Sequence, residues 1–197
     1  MSKQYDRAYF DRWYRSSRRM VRPDVVRRKV RLAVSATEHL LGREIATVLD
    51  VGCGEAPWRG ELRRMRRSVG YTGVDASDYV VRRYGRTRNI LQGSLDMLDT
   101  LPLARSYDLV VCSDVLQYVP NAEVKRGLHA LAKRTGGVAF IEAFTRDDDM
   151  VGDRDEWHER SARWYRSAFR EAGLRALGLY LFAGPGLRNA LNELELC

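Results

Sequence analysis

Two acidic residues and a pair of glycines have the types and spacing that suit a nucleoside ligand. Asp50 ends a short apolar segment, and Gly52 and Gly54 come after it in a turn where the backbone can approach a ligand closely. Asp75 ends the next apolar segment, and a carboxylate there can accept hydrogen bonds from both hydroxyls of a ribose. Pro57 stands where a GxGxxG fingerprint needs its third glycine. The pattern therefore predicts a nucleoside ligand that lacks a pyrophosphate.

These residues must lie at the ends of neighbouring strands, and the chain alternates strand-like and helical segments. Apolar residues recur at helical spacing between Pro23 and Gly42, which predicts a helix over 24–41. The later segments are strands over 46–51, 71–74, 89–92, 107–112 and 137–144, alternating with helices over 58–67, 78–84, 124–131 and 157–172. This order predicts an α/β fold with a doubly wound, mostly parallel sheet.

The C-terminal segment allows two interpretations. Residues 174–182 are strand-like, but Gly184, Pro185 and Gly186 interrupt the chain directly after them. Leu187, Leu191 and Leu194 then recur at helical spacing. The sequence leaves open whether this segment completes the sheet or forms a helix.

Four motifs connect the chain to a known family. The segments VLDVGCGEAPW, YTGVDAS, YDLVVCSDVLQYVP and GGVAFIEAF resemble, in order and spacing, the motifs of class I S-adenosylmethionine-dependent methyltransferases. The resemblance covers about residues 46–144 and implies a Rossmann-like fold, S-adenosylmethionine as cofactor and S-adenosylhomocysteine as product. It implies contacts to the methionine part from Asp50, Gly52 and Gly54, to the ribose from Asp75, to the adenine from Ala76, Gly93, Ser94 and Leu95, and to the sulfonium region from Cys112 and Ser113.

Four residues are candidates for contact with the methyl acceptor, for which a general base is optional. His158 is the first candidate base because imidazole titrates near neutral pH, against the strong alternative of an ordinary surface residue at the start of a helix. Gln117 and Tyr118 come after the fourth strand, where family members often present a histidine or an aromatic residue. Glu142 lies in the fifth strand, either as a carboxylate in the pocket or as the partner of a nearby arginine.

The N-terminal segment is rich in aromatic residues. Tyr9 and Trp13 are four residues apart and would share one helix face. In the family, segments before the first helix commonly fold over the cofactor as a lid, so both residues are predicted to cover the site. A helix docked outside the sheet and an aromatic platform for single-stranded RNA are the alternatives. We expect one domain over 1–197, with a helical lid over 1–43 and a Rossmann-like core over 44–197.

Composition limits the remaining possibilities. The three cysteines include no CxxC pair, so neither a disulfide framework nor a metal site is predicted. No segment is apolar enough for a signal peptide or a membrane span, which leads us to expect a cytoplasmic protein without a membrane partner. The net charge is +8, and the basic excess lies in the N-terminal half.

The sequence supports three function hypotheses. The first is a methyltransferase that acts on an oxygen or nitrogen atom of a small molecule, since a small acceptor needs only a lid. The second is an RNA methyltransferase that uses the basic N-terminal region. The third is a protein that binds the cofactor without transferring its methyl group.

Overall fold

Seven strands within the described residues, 4–16, 21–149 and 153–191, form one sheet at the centre of the computed structural model. They are β1 Thr47–Val51, β2 Gly70–Asp75, β3 Ile90–Gln92, β4 Tyr107–Ser113, β5 Thr135–Glu142, β6 Arg175–Gly178 and β7 Leu181–Ala183. The strand order is β3-β2-β1-β4-β5-β7-β6. Strands β1 to β5 pair in parallel, and β7 is antiparallel to both β5 and β6. The order reverses between β1 and β4, where α/β sheets of this kind have their ligand crevice.

Helices cover both faces of the sheet. They are α1 Arg7–Phe10, which continues as a π-helical turn over Asp11–Arg15, then α2 Pro23–Leu41, α3 Pro57–Met65, α4 Asp78–Arg88, α5 Asn121–Arg134 and α6 Ala162–Glu171. One hydrophobic core lies between the sheet and α2, α3 and α4, and the other lies between the sheet and α5 and α6. This arrangement confirms the predicted doubly wound fold. No helix in the described part of the chain is both long and apolar enough to cross a bilayer.

Helix α2 belongs to the core of the fold rather than to a lid. Pro23 occupies its first turn, and Gly42 ends it with a left-handed φ of 65°. Its buried stripe, which includes Val26, Val30 and Val34, packs on the sheet. The segment predicted as a lid over 1–43 therefore divides: its first part folds over the site, and the start of α2 packs on the sheet and forms part of the site's wall.

The C-terminal segment completes the sheet as a hairpin. The strand predicted over 174–182 is two strands, because Leu179 and Tyr180 adopt left-handed φ values of 52° and 66° between β6 and β7. A two-residue turn with both φ values positive matches the twist of a hairpin. A 3₁₀ helix over Pro185–Ala190 comes next. Leu194 of the alternative helical interpretation lies outside the described residues.

Helix α6 begins later than the predicted residue 157. Its N-cap is Ser161, whose hydroxyl accepts a hydrogen bond from the backbone N–H of Trp164 at 3.2 Å. The preceding residue, Arg160, is buried and donates hydrogen bonds to the Leu116 carbonyl at 2.7 Å and to Asn121 Oδ1 at 2.6 Å. These contacts hold the segment before α6 against the connection from β4 to α5, so it does not extend the helix.

Candidate functional site

The turn after β1 requires its two glycines. Gly52 and Gly54 have left-handed φ values of 68° and 52°. A Cβ atom at Gly52 would overlap Val115, and one at Gly54 would overlap the hydroxyl of Tyr14. The N–H of Gly52 donates to the carbonyl of Val74 at 2.8 Å, which ties the turn to β2. The turn thus has a fixed shape with backbone exposed to the space above it.

A cavity of about 260 Å³, here called the first cavity, opens at the carboxyl ends of β1 to β4. The N-terminal segment covers it with Tyr5, Tyr9, Phe10 and Tyr14. Its wall includes the predicted cofactor residues Gly52, Gly54, Asp75, Ala76, Gly93, Ser94 and Leu95. The structure therefore brings together most of the residues that the four motifs single out.

Asp75 lies on the floor of the first cavity with both carboxylate oxygens engaged. Its Oδ2 accepts from the N–H of Gly54 at 2.7 Å, and its Oδ1 accepts from the N–H of Ser77 at 2.9 Å. Burial raises the pKa of Asp75, and the two backbone hydrogen bonds act in the opposite direction. Ser77, not Asp75, is the N-cap of α4. Each oxygen of Asp75 retains a second lone pair, which suits the two hydroxyls of a ribose.

A smaller cavity of about 110 Å³, the second cavity, adjoins the first. It extends toward the ends of β1 and β4, where its wall includes Asp50, Ser113, Trp58 and Lys29. The residues common to the two walls are Tyr9, Tyr14, Gly52, Asp114 and Tyr118. These shared residues form a junction, so groups bound in the two cavities would meet there.

Asp50 is fully buried beside the second cavity. The hydroxyl of Tyr71 donates to its Oδ2 at 2.7 Å. Burial raises the pKa of Asp50 to about 7, and the charge of Asp75 also acts to raise it, while the hydrogen bond from Tyr71 lowers it. Tyr71 was not predicted from the sequence. Its place in β2 beside β1 is the one signal that could have indicated it.

Glu142 forms an ion pair, one of the two roles considered from the sequence, but its partner is Lys29. Its Oε2 accepts from Lys29 Nζ of α2 and from Ser113 Oγ, the latter at 2.7 Å. The partner is thus a lysine rather than the arginine considered from the sequence. Glu142 is 7% exposed, and it is connected to the second cavity through Ser113 and Lys29, which both line it.

Asp114 joins the two cavities and was also missed by sequence reasoning. It has a left-handed φ of 64°, which is uncommon for a residue with a side chain and recurs at functional sites. Its N–H donates to the carbonyl of Glu142 at 2.9 Å, and its Oδ1 accepts from Gln117 Nε2. Its position directly after the fourth strand was the available signal.

The candidates for contact with the methyl acceptor differ in their position relative to the two cavities. Tyr118 lines both cavities and donates from its hydroxyl to the carbonyl of Asp153 at 2.8 Å. Gln117 is wholly buried beneath the junction and is not part of either wall. His158 is exposed, donates from its backbone N–H to the carbonyl of Gln117 at 2.8 Å, and is absent from both walls. Its role as a base stays a prediction that this geometry does not support.

Cys112 and Ser113 lie on opposite sides of the sheet. Ser113 faces the second cavity, whereas Cys112 packs into the core formed with α5 and α6. Burial raises the pKa of the Cys112 thiol, which keeps it protonated. Successive side chains of a strand point to opposite faces of the sheet, which explains why these two neighbours differ. Of the two, only Ser113 can contact a bound group.

The lid comprises residues 5–15, and its inward face differs from the predicted one. Tyr9 and Tyr14 line both cavities, while Trp13 is half-buried in a separate groove beside Asp153 and Glu156, with Arg12 stacked over its ring at 4.8 Å. The π-helical turn explains this result, because residues i and i+5 share a face in a π-helix. Tyr9 thus covers the site as predicted, and Trp13 does not.

Contacts along its length fix the lid to the core. Phe10 is 2% exposed and stacks on Tyr79 with ring centroids 5.6 Å apart. Arg15 forms an ion pair with Glu55 in the segment after β1. The hydroxyl of Ser77 donates to the carbonyl of Tyr5. These contacts therefore hold the lid over the junction of the two cavities.

Comparisons with known proteins agree with this architecture. An O-methyltransferase family protein from Burkholderia thailandensis is 18% identical, with a TM-score of 0.55 over 82% of this chain and 57% of that chain. A SAM-dependent methyltransferase from Archaeoglobus fulgidus is 16% identical, with a TM-score of 0.63 over 85% and 73% of the two chains. DesVI from Streptomyces venezuelae is 16% identical, with a TM-score of 0.63 over 90% and 95%.

At these identities the structural neighbours show the fold. This chain spans little more than half of the Burkholderia protein and nearly all of DesVI. No curated protein sequence matches it. A sequence profile described as a methyltransferase domain matches residues 21–194, which confirms the resemblance carried by the four motifs. Because that profile spans most of its length, the chain belongs to the methyltransferase-domain family.

Proposed function

We propose that the protein transfers a methyl group from S-adenosylmethionine to an oxygen or nitrogen atom of a small molecule. The observation that carries this proposal is the junction of the two cavities. The first cavity has the residues for a nucleoside, and the second has polar groups at the end of β4. A cofactor whose nucleoside lies in the first cavity would have its methyl group near the junction, where an acceptor would meet it under the lid and where positioning and exclusion of water supply much of the rate.

The residues of the first cavity fit the proposed cofactor. Asp75 offers one lone pair from each oxygen to a ribose, and the turn at Gly52 and Gly54 leaves room for a ligand against the backbone. Asp50 lies in the wall of the second cavity and can hold the ammonium group of the cofactor's methionine part once its proton has left, so the cofactor would extend from the first cavity into the second. S-adenosylmethionine supplies an electrophilic methyl group when bound. The A. fulgidus neighbour, described as SAM dependent, supports this choice of cofactor.

Calorimetric titration with S-adenosylmethionine and, separately, with S-adenosylhomocysteine tests the proposal. We expect both to bind in the micromolar range, and we expect S-adenosylhomocysteine to form when a panel of small hydroxyl and amine compounds is added. A protein that binds neither ligand contradicts the proposal. A protein that binds both but methylates nothing in the panel, nor RNA, supports the alternative of cofactor binding without transfer.

An RNA acceptor is the second candidate. The observation that favours it is a set of exposed arginines on α3 and α4, on one face of the sheet: Arg63, Arg64, Arg82, Arg83 and Arg86. Two of them have acidic partners, Glu61 and Asp78, which reduces the net charge of this surface. Binding of a short RNA that weakens steeply as salt rises, together with its methylation, would favour this candidate over a small acceptor.

A further inference from the structure

We propose that a groove between α6 and the β6–β7 hairpin binds a small molecule that has an apolar body and a carboxylate. The groove, here called the α6 groove, has a volume of about 430 Å³ and is bounded by α6, the start of β6 and the end of β7. The inference goes beyond the proposed function, because this ligand is neither the cofactor nor the methyl acceptor.

The α6 groove lies at the other end of the sheet from the first and second cavities. Ala183, in its wall, pairs with Val138 near the start of β5. The N–H of Gly184, also in its wall, donates to the carbonyl of Gly137 at 2.9 Å. The first and second cavities instead open at the carboxyl ends of the parallel strands, and their described wall residues are not shared with the groove. A ligand in the groove therefore leaves the cofactor site free.

Apolar side chains form most of the wall of the α6 groove. Phe169 of α6 contacts Phe182 of β7 with ring centroids 4.7 Å apart, and both line the groove together with Leu174 and Leu191. The volume of about 430 Å³ exceeds that of the cavity of about 150 Å³ that accommodates benzene. It falls within the range of about 300 to 1,000 Å³ that is typical of small-molecule sites. The groove thus has room for an apolar body larger than one ring.

Three arginines line the same groove, and its described wall contains no acidic residue. They are Arg166 and Arg170, which share one face of α6, and Arg175 of β6. In the part of the chain that the structure describes, none of the three side chains forms an ion pair or a hydrogen bond. Glu171, beside Arg170 in the sequence, already accepts from Lys125 Nζ at 3.1 Å and from Ser167 Oγ at 3.0 Å. The wall is therefore positively charged.

Arg175 gives the most specific indication of an anionic ligand. Its Nη1 atom is buried and has no hydrogen-bond partner among the described residues. A charged N–H group that is shielded from water and unpaired is costly, so an acceptor brought by a ligand would be stabilising. The planar guanidinium group matches the two oxygens of a carboxylate. A carboxylate therefore supplies the acceptor that Arg175 lacks.

The two features of the wall together define the class of ligand. A small inorganic anion would pair with the arginines but would leave the apolar wall exposed to water. A neutral apolar molecule would cover that wall but would leave Arg175 unpaired. A monocarboxylate with an aliphatic or aromatic body satisfies both requirements, as expected of a mostly apolar site with a few polar groups that fix orientation.

Calorimetric titration of the whole chain, without cofactor, tests the proposal. The three probes are octanoate, 1-octanol, which lacks the charge, and acetate, which lacks the apolar body. We expect octanoate to bind with a dissociation constant below about 1 mM. The other two probes should bind at least about tenfold more weakly, because each has one of the two features. Intermolecular NOEs from the octanoate chain to the rings of Phe169 and Phe182 should place it in the groove.

Two variants separate recognition of the charge from a structural role. Arg175→Met keeps a long apolar side chain, so it should weaken octanoate binding about tenfold and change 1-octanol binding by less than about twofold. Arg170→Met, at an exposed position on α6, should weaken octanoate binding about threefold. Arg163→Met is the matched control, since Arg163 is exposed on the same helix but is outside the wall of the groove. It should leave the affinity unchanged.

Several outcomes overturn the inference. Equal affinities for octanoate and 1-octanol, or an unchanged octanoate affinity in Arg175→Met, would remove the carboxylate site. Competition between octanoate and S-adenosylhomocysteine would place octanoate in the cofactor site instead. Binding to phosphatidylglycerol vesicles but not to octanoate would assign the arginines to a membrane surface.

The chain itself provides one further test. Glu193 and Glu195 follow Leu191 in the sequence and lie outside the described residues. We expect Glu193→Gln combined with Glu195→Gln to bind octanoate within about threefold of the wild type. Octanoate binding that appears only in this double variant would show that the chain's own acidic residues compete for the groove, and it would contradict a site for a free ligand.

Discussion

At the scale of single residues, the site contains two buried carboxyl groups, those of Asp50 and Asp75, whose hydrogen-bond partners differ. Asp75 is fixed by two backbone N–H groups, whereas Asp50 has a neutral tyrosine hydroxyl as its partner. The sequence predicts both because each acidic residue lies at the end of an apolar strand. It does not predict Tyr71 or Lys29, since their partners are distant along the chain and meet only when the sheet and α2 pack.

Asp75→Ala tests the ribose assignment. We expect its affinity for S-adenosylmethionine to fall by about 1.5 to 3 kcal/mol, because charge-assisted hydrogen bonds are lost. Calorimetry measures the change, and Asp78→Ala, an exposed residue at the start of α4, is the control. Equal affinities in Asp75→Ala and the wild type would remove Asp75 from the cofactor site.

Asp50 should make stability depend on pH. Its pKa is about 7 in the folded protein and near 3.8 when exposed, so the folded state binds more protons between these values. Stability due to this group is therefore complete below pH 3.8 and is lost as pH rises through 7. Relative to Asp50→Asn, the wild type should lose about 2 to 3 kcal/mol between pH 5 and pH 8. Urea denaturation at both pH values measures this, and a constant difference would contradict it.

At the scale of elements, the hydrophobic pattern of the sequence predicts β1 to β5 well. It predicts poorly the start of α6 and the turn between β6 and β7. Helix α6 starts late because Arg160 bonds across to the connection after β4, a contact with no local signal. The turn between β6 and β7 escapes prediction for another reason. Its residues, Leu179 and Tyr180, are not turn formers, although both adopt left-handed φ.

The hairpin turn should be open to stabilisation. Replacing Leu179 and Tyr180 by Asn and Gly relieves two left-handed positions that side chains disfavour. We expect the free energy of unfolding to rise by about 1 to 2 kcal/mol. Denaturant titration measures it, with Tyr180→Phe as the control because that change leaves the backbone requirement intact. No gain in the double variant would show that the turn carries no strain.

The lid should contribute to cofactor affinity through its buried face. Phe10→Ala removes the ring that stacks on Tyr79 and contacts Tyr14 with centroids 4.9 Å apart. We expect S-adenosylmethionine to bind about tenfold more weakly and to dissociate faster. Trp13→Ala, in the separate groove outside the two cavities, should leave both quantities unchanged. Stopped-flow dissociation and calorimetry distinguish the two variants, and the reverse pattern would refute the observed orientation of the lid.

At the scale of the whole molecule, the two cavities lie where the strand order reverses, so ligand binding should stabilise the entire sheet. With S-adenosylmethionine at 100 times its dissociation constant, the free energy of unfolding should rise by about 2.7 kcal/mol. For a chain of this length the midpoint of thermal unfolding should rise by roughly 5 to 10 °C. A thermal scan tests this, and Asp75→Ala should show a much smaller shift at the same ligand concentration.

The π-helical turn in the lid has a consequence for the spacing of the chain. Such a turn accommodates one residue more than an α-helix of the same length. Here the additional residue directs Tyr14 toward Gly54 and leaves Trp13 outside. Removing any single residue between Tyr9 and Tyr14 would restore α-helical spacing and bring Tyr14 into the i+4 position now held by Trp13. The number of residues in this short segment, as much as their identity, decides which aromatic ring reaches the turn after β1.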